Sequence, residues 1–237
     1  PNPNGYFIDG PILDMKYKSG IGQFPIPVVH GLTLGEFALM VNGEGWMVNN
    51  IKCDLEVIPM EGYKHSMLYE LPVNPSPNLN TAQSILLYPS TCLFEGVALN
   101  HGRGTDFPFT IIGGPMLKDK YSFSFTPVSK PGMAEDPVFQ DQVCYGLDLR
   151  NYDLEKLVKS KKINLSWMIE LYNNHPNKDK FFDRSISRQI GNIDFLIGDG
   201  DFKKQIAAGW SEQQIRKTWE SGISSYKKMR KKYLLYP

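Results

Sequence analysis

Long apolar runs are missing from this 237-residue chain, and none approaches the ~18 residues a membrane-crossing helix needs. Net charge is nearly missing too. Lysine and arginine total 26 against 25 aspartates and glutamates, so bulk charge gives no reason to expect nucleic acid or an anionic membrane as the main partner. Cysteine is scarce: Cys53, Cys92 and Cys144 stand far apart, match no zinc pattern and no CxxC redox pair, and read as small apolar core residues. No HExxH, GxSxG or Walker loop occurs. His30, His65, His101 and His175 are too scattered for a metal site, so neither metal nor cofactor is expected. "DGD" at 199–201 lacks the other ligands of a calcium loop and reads as a turn with a helix cap. No signal peptide or initiator methionine is present; the opening "PNPNGYF" reads as a mature form or a fragment.

What is present is ordinary folded-protein material, with 41% apolar and 22% charged residues, enough for one large domain or two small ones. Proline and glycine crowd the first 25 residues, which excludes long helices there and suggests an extended connecting segment. A helix is expected over 31–43, where Thr33 and Glu36 have capping-box spacing. Residues 81–88 read as a short helix, and 90–99 as the opening of another capped by Ser90 or Thr91. Alternation marks strands at 53–60, 107–115, 120–128 and 142–150.

Beyond Asp153 the pattern turns helical. Leu154, Leu157 and Val158 make one stripe, and Leu165, Met168, Ile169 and Tyr172 a second. A last helix starts at Ser211, with Gln214 completing a cap and an apolar stripe from Ile215 to Tyr233. Its "KKMRKK" run could bind nucleic acid or a membrane surface, but the apolar stripe favours a packed helix with a solvated basic outer face. The fold class expected is α+β, a small mixed sheet flanked by helices with a C-terminal helical segment.

Polar chemistry concentrates in "EGVALNHGRGTDFPF" (95–109). Gly102 and Gly104 allow a ligand close to the backbone. Arg103 offers a planar fork for a carboxylate, His101 and Thr105 can bond hydroxyls, and Glu95 can accept from them. A polyhydroxylated ligand bearing an acid group suits that set. The competing reading is a helix-to-strand loop whose polar groups bond its own backbone.

"PIPVVHGLTLGE" (25–36), "PSPN" (75–78), "YPSTCLFEG" (88–96) and "GRGTDFPF" (102–109) together resemble the NamZ-type exo-β-N-acetylmuramidases, long known as a domain of unknown function, and "PNPNG" resembles that family's segment joining its two parts. The resemblance implies a glycoside hydrolase that removes terminal N-acetylmuramic acid from peptidoglycan fragments, with an N-terminal Rossmann-like domain, a smaller C-terminal domain and the active cleft between them. It implies that residues 1–30 are the connecting segment from an absent N-terminal domain and 31–237 the C-terminal α+β domain. It places the usual catalytic glutamate in a Glu-His-Gly motif that this chain lacks. Peptidoglycan-derived muropeptides or disaccharides and the N-terminal domain are then the partners, in a bacterial periplasmic or secreted setting, with no nucleic acid and no membrane span.

Glu95 is the local candidate for a catalytic carboxylate, and Asn78, His101, Arg103, Thr105 and His30 are the candidate substrate-binding residues. Glu36 ranks behind Glu95 because its capping role already explains it, and Asn78 could instead cap the helix at 81–88. Val29 precedes His30 where the family often has Arg. His101 precedes GRGT where it often has Glu or Val, so an acid is not essential there. A non-catalytic sugar-binding module of cell-wall material is the alternative. A nucleic-acid or scaffold role through the basic helix is a third.

Overall fold

Thr33, Thr81 and Ser211 show why three helices begin where they do. Each hydroxyl accepts from the backbone N–H three residues on, while the side chain at that position bonds back to the cap. Such caps contribute about 1 kcal/mol each. The computed structural model describes residues 2–183, 185–186 and 192–237.

The chain enters through β1 (Asp9–Ile12) and β2 (Pro27–Val29), which pair antiparallel with Asp9 opposite Val29. Helix α1 (Leu34–Gly43) follows, then a long irregular stretch, then α2 (Ala82–Thr91). A second small sheet holds β3 (Ile111–Gly114), β4 (Ser124–Phe125) and β5 (Cys144–Asp148), antiparallel in the order β3-β5-β4. The rest is helical: α3 (Leu154–Ser160), α4 (Ser166–Asn174), α5 (Lys178–Phe181), α6 (Ile193–Ile197), α7 (Phe202–Ala207) and α8 (Glu212–Arg230). The fold is α+β, with antiparallel strands in two small sheets and a C-terminal helix.

The main core gathers Leu87, Leu93, Phe94, Ile112, Leu171 and Phe202 among its fully buried members. Each such side chain contributes about 1.5–3 kcal/mol through burial. Helix α8 lays Ile215, Trp219 and Tyr226 inward, as its stripe implies. Two of its basic residues also serve the interior. Arg216 bonds Asp9 and the Ile163 carbonyl, and Arg230 donates to the Gly31 carbonyl at 3.1 Å. With the Tyr226 hydroxyl donating to the His30 carbonyl at 2.8 Å, α8 fixes the segment that carries His30.

Several expectations need correction. No strand forms over 53–60: the alternation finds no partner strand, and Ile58 is left 88% exposed. No new helix opens at Ser90. Helix α2 runs on through Pro89 to Thr91, and a 3-10 turn covers Cys92–Gly96. Thr91 stands at the N-cap position of that turn, but its hydroxyl donates to the Leu87 carbonyl at 3.2 Å and Ser90 Oγ accepts from the Asn164 N–H at 2.9 Å, so neither side chain makes a capping bond. The strand at 120–128 shrinks to Ser124–Phe125 and that at 107–115 to Ile111–Gly114. All three cysteines are free; Cys144 is buried, but Cys53 is exposed and belongs to no core.

Candidate functional site

Three of the quoted motifs converge on one place. The 3-10 turn after α2 presents Glu95, and its Gly96 packs against α6 so closely that a Cβ would stand 2.7 Å from the Ile193 Cα. Glu95 is only 3% exposed, yet it lines a cavity of about 440 Å³. His30 lines the same cavity from the end of β2, and Phe24, Phe37, Tyr88 and Phe195 supply aromatic surface.

Arg103 braces Glu95 from behind, its Nη2 donating to Glu95 Oε1 at 2.7 Å. Its Nε donates to His101 Nε2 at 3.1 Å, and the guanidinium lies 5.4 Å from the Phe109 ring centroid. Phe109 holds that position with φ at +60°, a conformation non-glycine residues avoid unless the surroundings enforce it. The loop makes its own return. Gly102 and Gly104 have φ of +87° and +83°, and a Cβ on Gly102 would strike the Phe107 carbonyl.

Electrostatics follow from this packing. Burial pushes the Glu95 carboxyl upward, but the neighbouring His101 and the Arg103 guanidinium outweigh it and hold the group below the usual carboxylate range. Burial holds His101 low against the pull of Glu95, with Arg103 adding to the effect. Burial, together with Arg230, also lowers His30 against Glu36. His30 Nδ1 accepts from the Leu32 N–H at 3.1 Å, so the proton of the neutral ring sits on Nε2. The cavity wall thus offers a carboxylate acceptor, an imidazole N–H donor and aromatic faces, a combination suited to a sugar ring.

The other candidates fall elsewhere. His101 is buried behind Glu95 and positions the pair. The Thr105 hydroxyl donates to the Gly102 carbonyl at 2.7 Å and accepts from the Phe107 N–H at 3.0 Å, so it builds the loop. Asn78 does not line the cavity and does not cap α2, whose cap is Thr81; its amide donates to the Met133 carbonyl at 2.9 Å. Its Oδ1 is buried without a partner among the described residues.

Sequence reasoning missed the aromatic lining. Tyr88 stands inside a quoted motif, and Phe24 and Phe37 flank another, so proximity was an available signal. Phe195 reaches the cavity only through the packing of α6. A second polar knot also escaped notice. His65 Nε2 lies 2.8 and 3.0 Å from the two Glu36 oxygens, with both side chains wholly buried, and Glu36 also accepts from the Leu235 N–H at 2.9 Å.

An α+β body with a polar, aromatic-lined cavity has the character of a small-ligand domain. This chain belongs to the NamZ exo-β-N-acetylmuramidase family: the family's C-terminal model matches residues 86–236 and its N-terminal model residues 1–83. A Bacillus subtilis protein, peptidoglycan β-N-acetylmuramidase NamZ, is 35% identical over 250 residues, a match that takes in all of this chain and 58% of the relative. A solved DUF1343 family protein of Bacteroides fragilis is 46% identical with a TM-score of 0.92, covering all of this chain and 64% of that one. A second from the same species, 23% identical with a TM-score of 0.78 over 65% of its length, shares the fold. The chain therefore spans about three-fifths of these relatives.

Proposed function

We propose that this chain is the C-terminal part of a glycoside hydrolase that removes terminal N-acetylmuramic acid from peptidoglycan fragments. The observation that carries the reading is the cavity where His30, in the stretch matched by the family's N-terminal model, meets Glu95, in the stretch matched by its C-terminal model. In this reading His30 Nε2–H and the Glu95 carboxylate bond sugar hydroxyls, and the aromatic rings lie against the ring carbons. Arg103 is already engaged with Glu95, so its contribution to the lactyl carboxylate is to cancel the Glu95 charge, which would otherwise repel an acidic sugar.

Glycoside hydrolysis needs a proton donor at the leaving oxygen and a base or nucleophile at the sugar carbon. No Glu-His-Gly occurs here: His-Gly appears at 30–31 and 101–102, preceded by Val29 and Asn100. We infer that the principal carboxylate belongs to a part of the N-terminal domain other than residues 1–83, across an interdomain cleft, with Glu95 as a supporting group. A periplasmic or secreted setting fits a peptidoglycan substrate. Among the described residues no helix is long and apolar enough to cross a membrane.

The test is release of N-acetylmuramic acid from a chromogenic β-glycoside by a protein spanning the family's full length. Release supports the reading; none at any pH removes it. Binding of the free sugar by these 237 residues without hydrolysis by the full-length protein would favour the sugar-binding module.

A further inference from the structure

We propose that residues 54–58 are an interaction strand, which pairs backbone to backbone with a strand of the family's N-terminal domain that lies outside residues 1–83. The segment is already laid out for pairing. Asn42 clamps the Cys53 backbone, its Nδ2 donating to the carbonyl at 3.0 Å and its Oδ1 accepting from the N–H at 2.8 Å. At the far end the Met60 N–H donates to the Tyr236 hydroxyl at 2.9 Å. Between these anchors no residue has positive φ and no turn forms. Among the described residues, no backbone N–H or carbonyl from Asp54 to Pro59 makes a hydrogen bond. Both edges of an extended stretch are therefore open, which is the template that strand addition uses.

The side chains sort as they do in a strand. Leu55 and Val57 are half-buried, whereas Asp54, Glu56 and Ile58 are exposed. Val57 backs onto α1, where a Cβ on Gly35 would stand 2.5 Å from its Cγ1. Leu34 and Ile58 flank this contact in sequence. They are the most exposed large apolar side chains among the described residues, at 81% and 88%, and mark a surface that a partner covers. The occupant follows from the family match. The N-terminal model takes in residues 1–83, this segment included, and about two-fifths of the relatives' length lies outside the match. The C-terminal model already reaches residue 236, so the outside length belongs with the N-terminal domain. A second copy is the poorer partner, because two such segments laid edge to edge set Asp54 and Glu56 among like charges. The pairing rests on family membership and is independent of the sugar that the full protein hydrolyses.

The experiment is amide hydrogen exchange on the full-length protein, read at residues 54–58. Protection about 100-fold or more over an unstructured chain is expected, at every second amide if one neighbour strand is present and at every amide if there are two. The N–H groups of residues 56 and 57 point to opposite edges, so Glu56→Pro and Val57→Pro probe both. At least one of them should melt about 5 °C or more below its alanine counterpart, Glu56→Ala or Val57→Ala. An extended segment with no partner would accept both prolines. Exchange at the unstructured rate, or proline variants that melt with their alanine counterparts, would overturn the proposal. So would protection that grows with protein concentration, since a second copy would then be the partner.

Discussion

Glu95 and Arg103 lie eight residues apart in sequence and 2.7 Å apart in space, and the turn that brings them together closes behind the cavity wall. The carboxylate is nearly sealed and the guanidinium is 24% exposed. Removing the cation therefore leaves a buried charge without its strongest partner. Arg103→Ala should cost about 3 kcal/mol in urea unfolding, and the Arg103→Ala/Glu95→Gln double variant should recover part of it. Additive losses would show that the two residues do not act as a pair.

Acid should destabilise the fold in two stages. His101, His30 and His175 are held below the ordinary imidazole range, mainly by burial. The unfolded chain then binds more protons once pH drops below about 6.5, so stability falls there. Glu95 and Glu36 are also depressed, and the stability they add is lost as pH falls below about 4.3 toward their folded values. Melting temperatures measured from pH 8 to pH 3 should show both declines. His101→Gln should flatten part of the first and Glu95→Gln part of the second; a profile level across both ranges would contradict the assignments.

The buried Glu36–His65 pair ties α1 to the chain's end, because Leu235 N–H bonds Glu36 and His65 N–H bonds the Pro237 carbonyl at 3.0 Å. Glu36→Ala should cost about 3–5 kcal/mol. It should also speed amide exchange at Leu235 far more than at Ile112 in the core. Uniform acceleration would mean the pair has no special hold on the tail.

Thiol labelling should proceed in a fixed order. Cys53 is exposed and should react at once. Burial pushes the Cys92 thiol up to about 12, with Glu95 adding, and burial alone pushes Cys144 up to about 12. Cys144 should react only on unfolding, and Cys92, which lines the His30 cavity, should react slowly and more slowly still with muramic acid present. Labelling of Cys92 as fast as Cys53 would be inconsistent with this packing.

Much of the helical framework was legible because its signals are local. The Thr33–Glu36 and Ser211–Gln214 caps and the α8 stripe each lie within a few turns of chain, and all formed. Strands were harder, since alternation over 53–60 says nothing about whether a partner strand arrives, and none did. Helix α2 runs past Pro89, whose missing N–H removes only the bond to the Ile85 carbonyl, and beyond it the Thr91 hydroxyl bonds the Leu87 carbonyl and the Cys92 N–H the Tyr88 carbonyl. The Glu95–His101–Arg103 grouping was readable from its crowding in one segment. The sharing of a cavity by His30 and Glu95 depends on α8 anchoring residues 30–31, a long-range contact that no short motif announces.

The most direct measurement is kcat/KM for release of N-acetylmuramic acid from a chromogenic β-glycoside by the full-length protein, comparing wild type with His30→Ala at equal melting temperature. A loss of about ten-fold or more in His30→Ala is expected, as for removal of a hydrogen bond to bound sugar. Release by wild type that His30→Ala matches would contradict a substrate-holding role for this cavity.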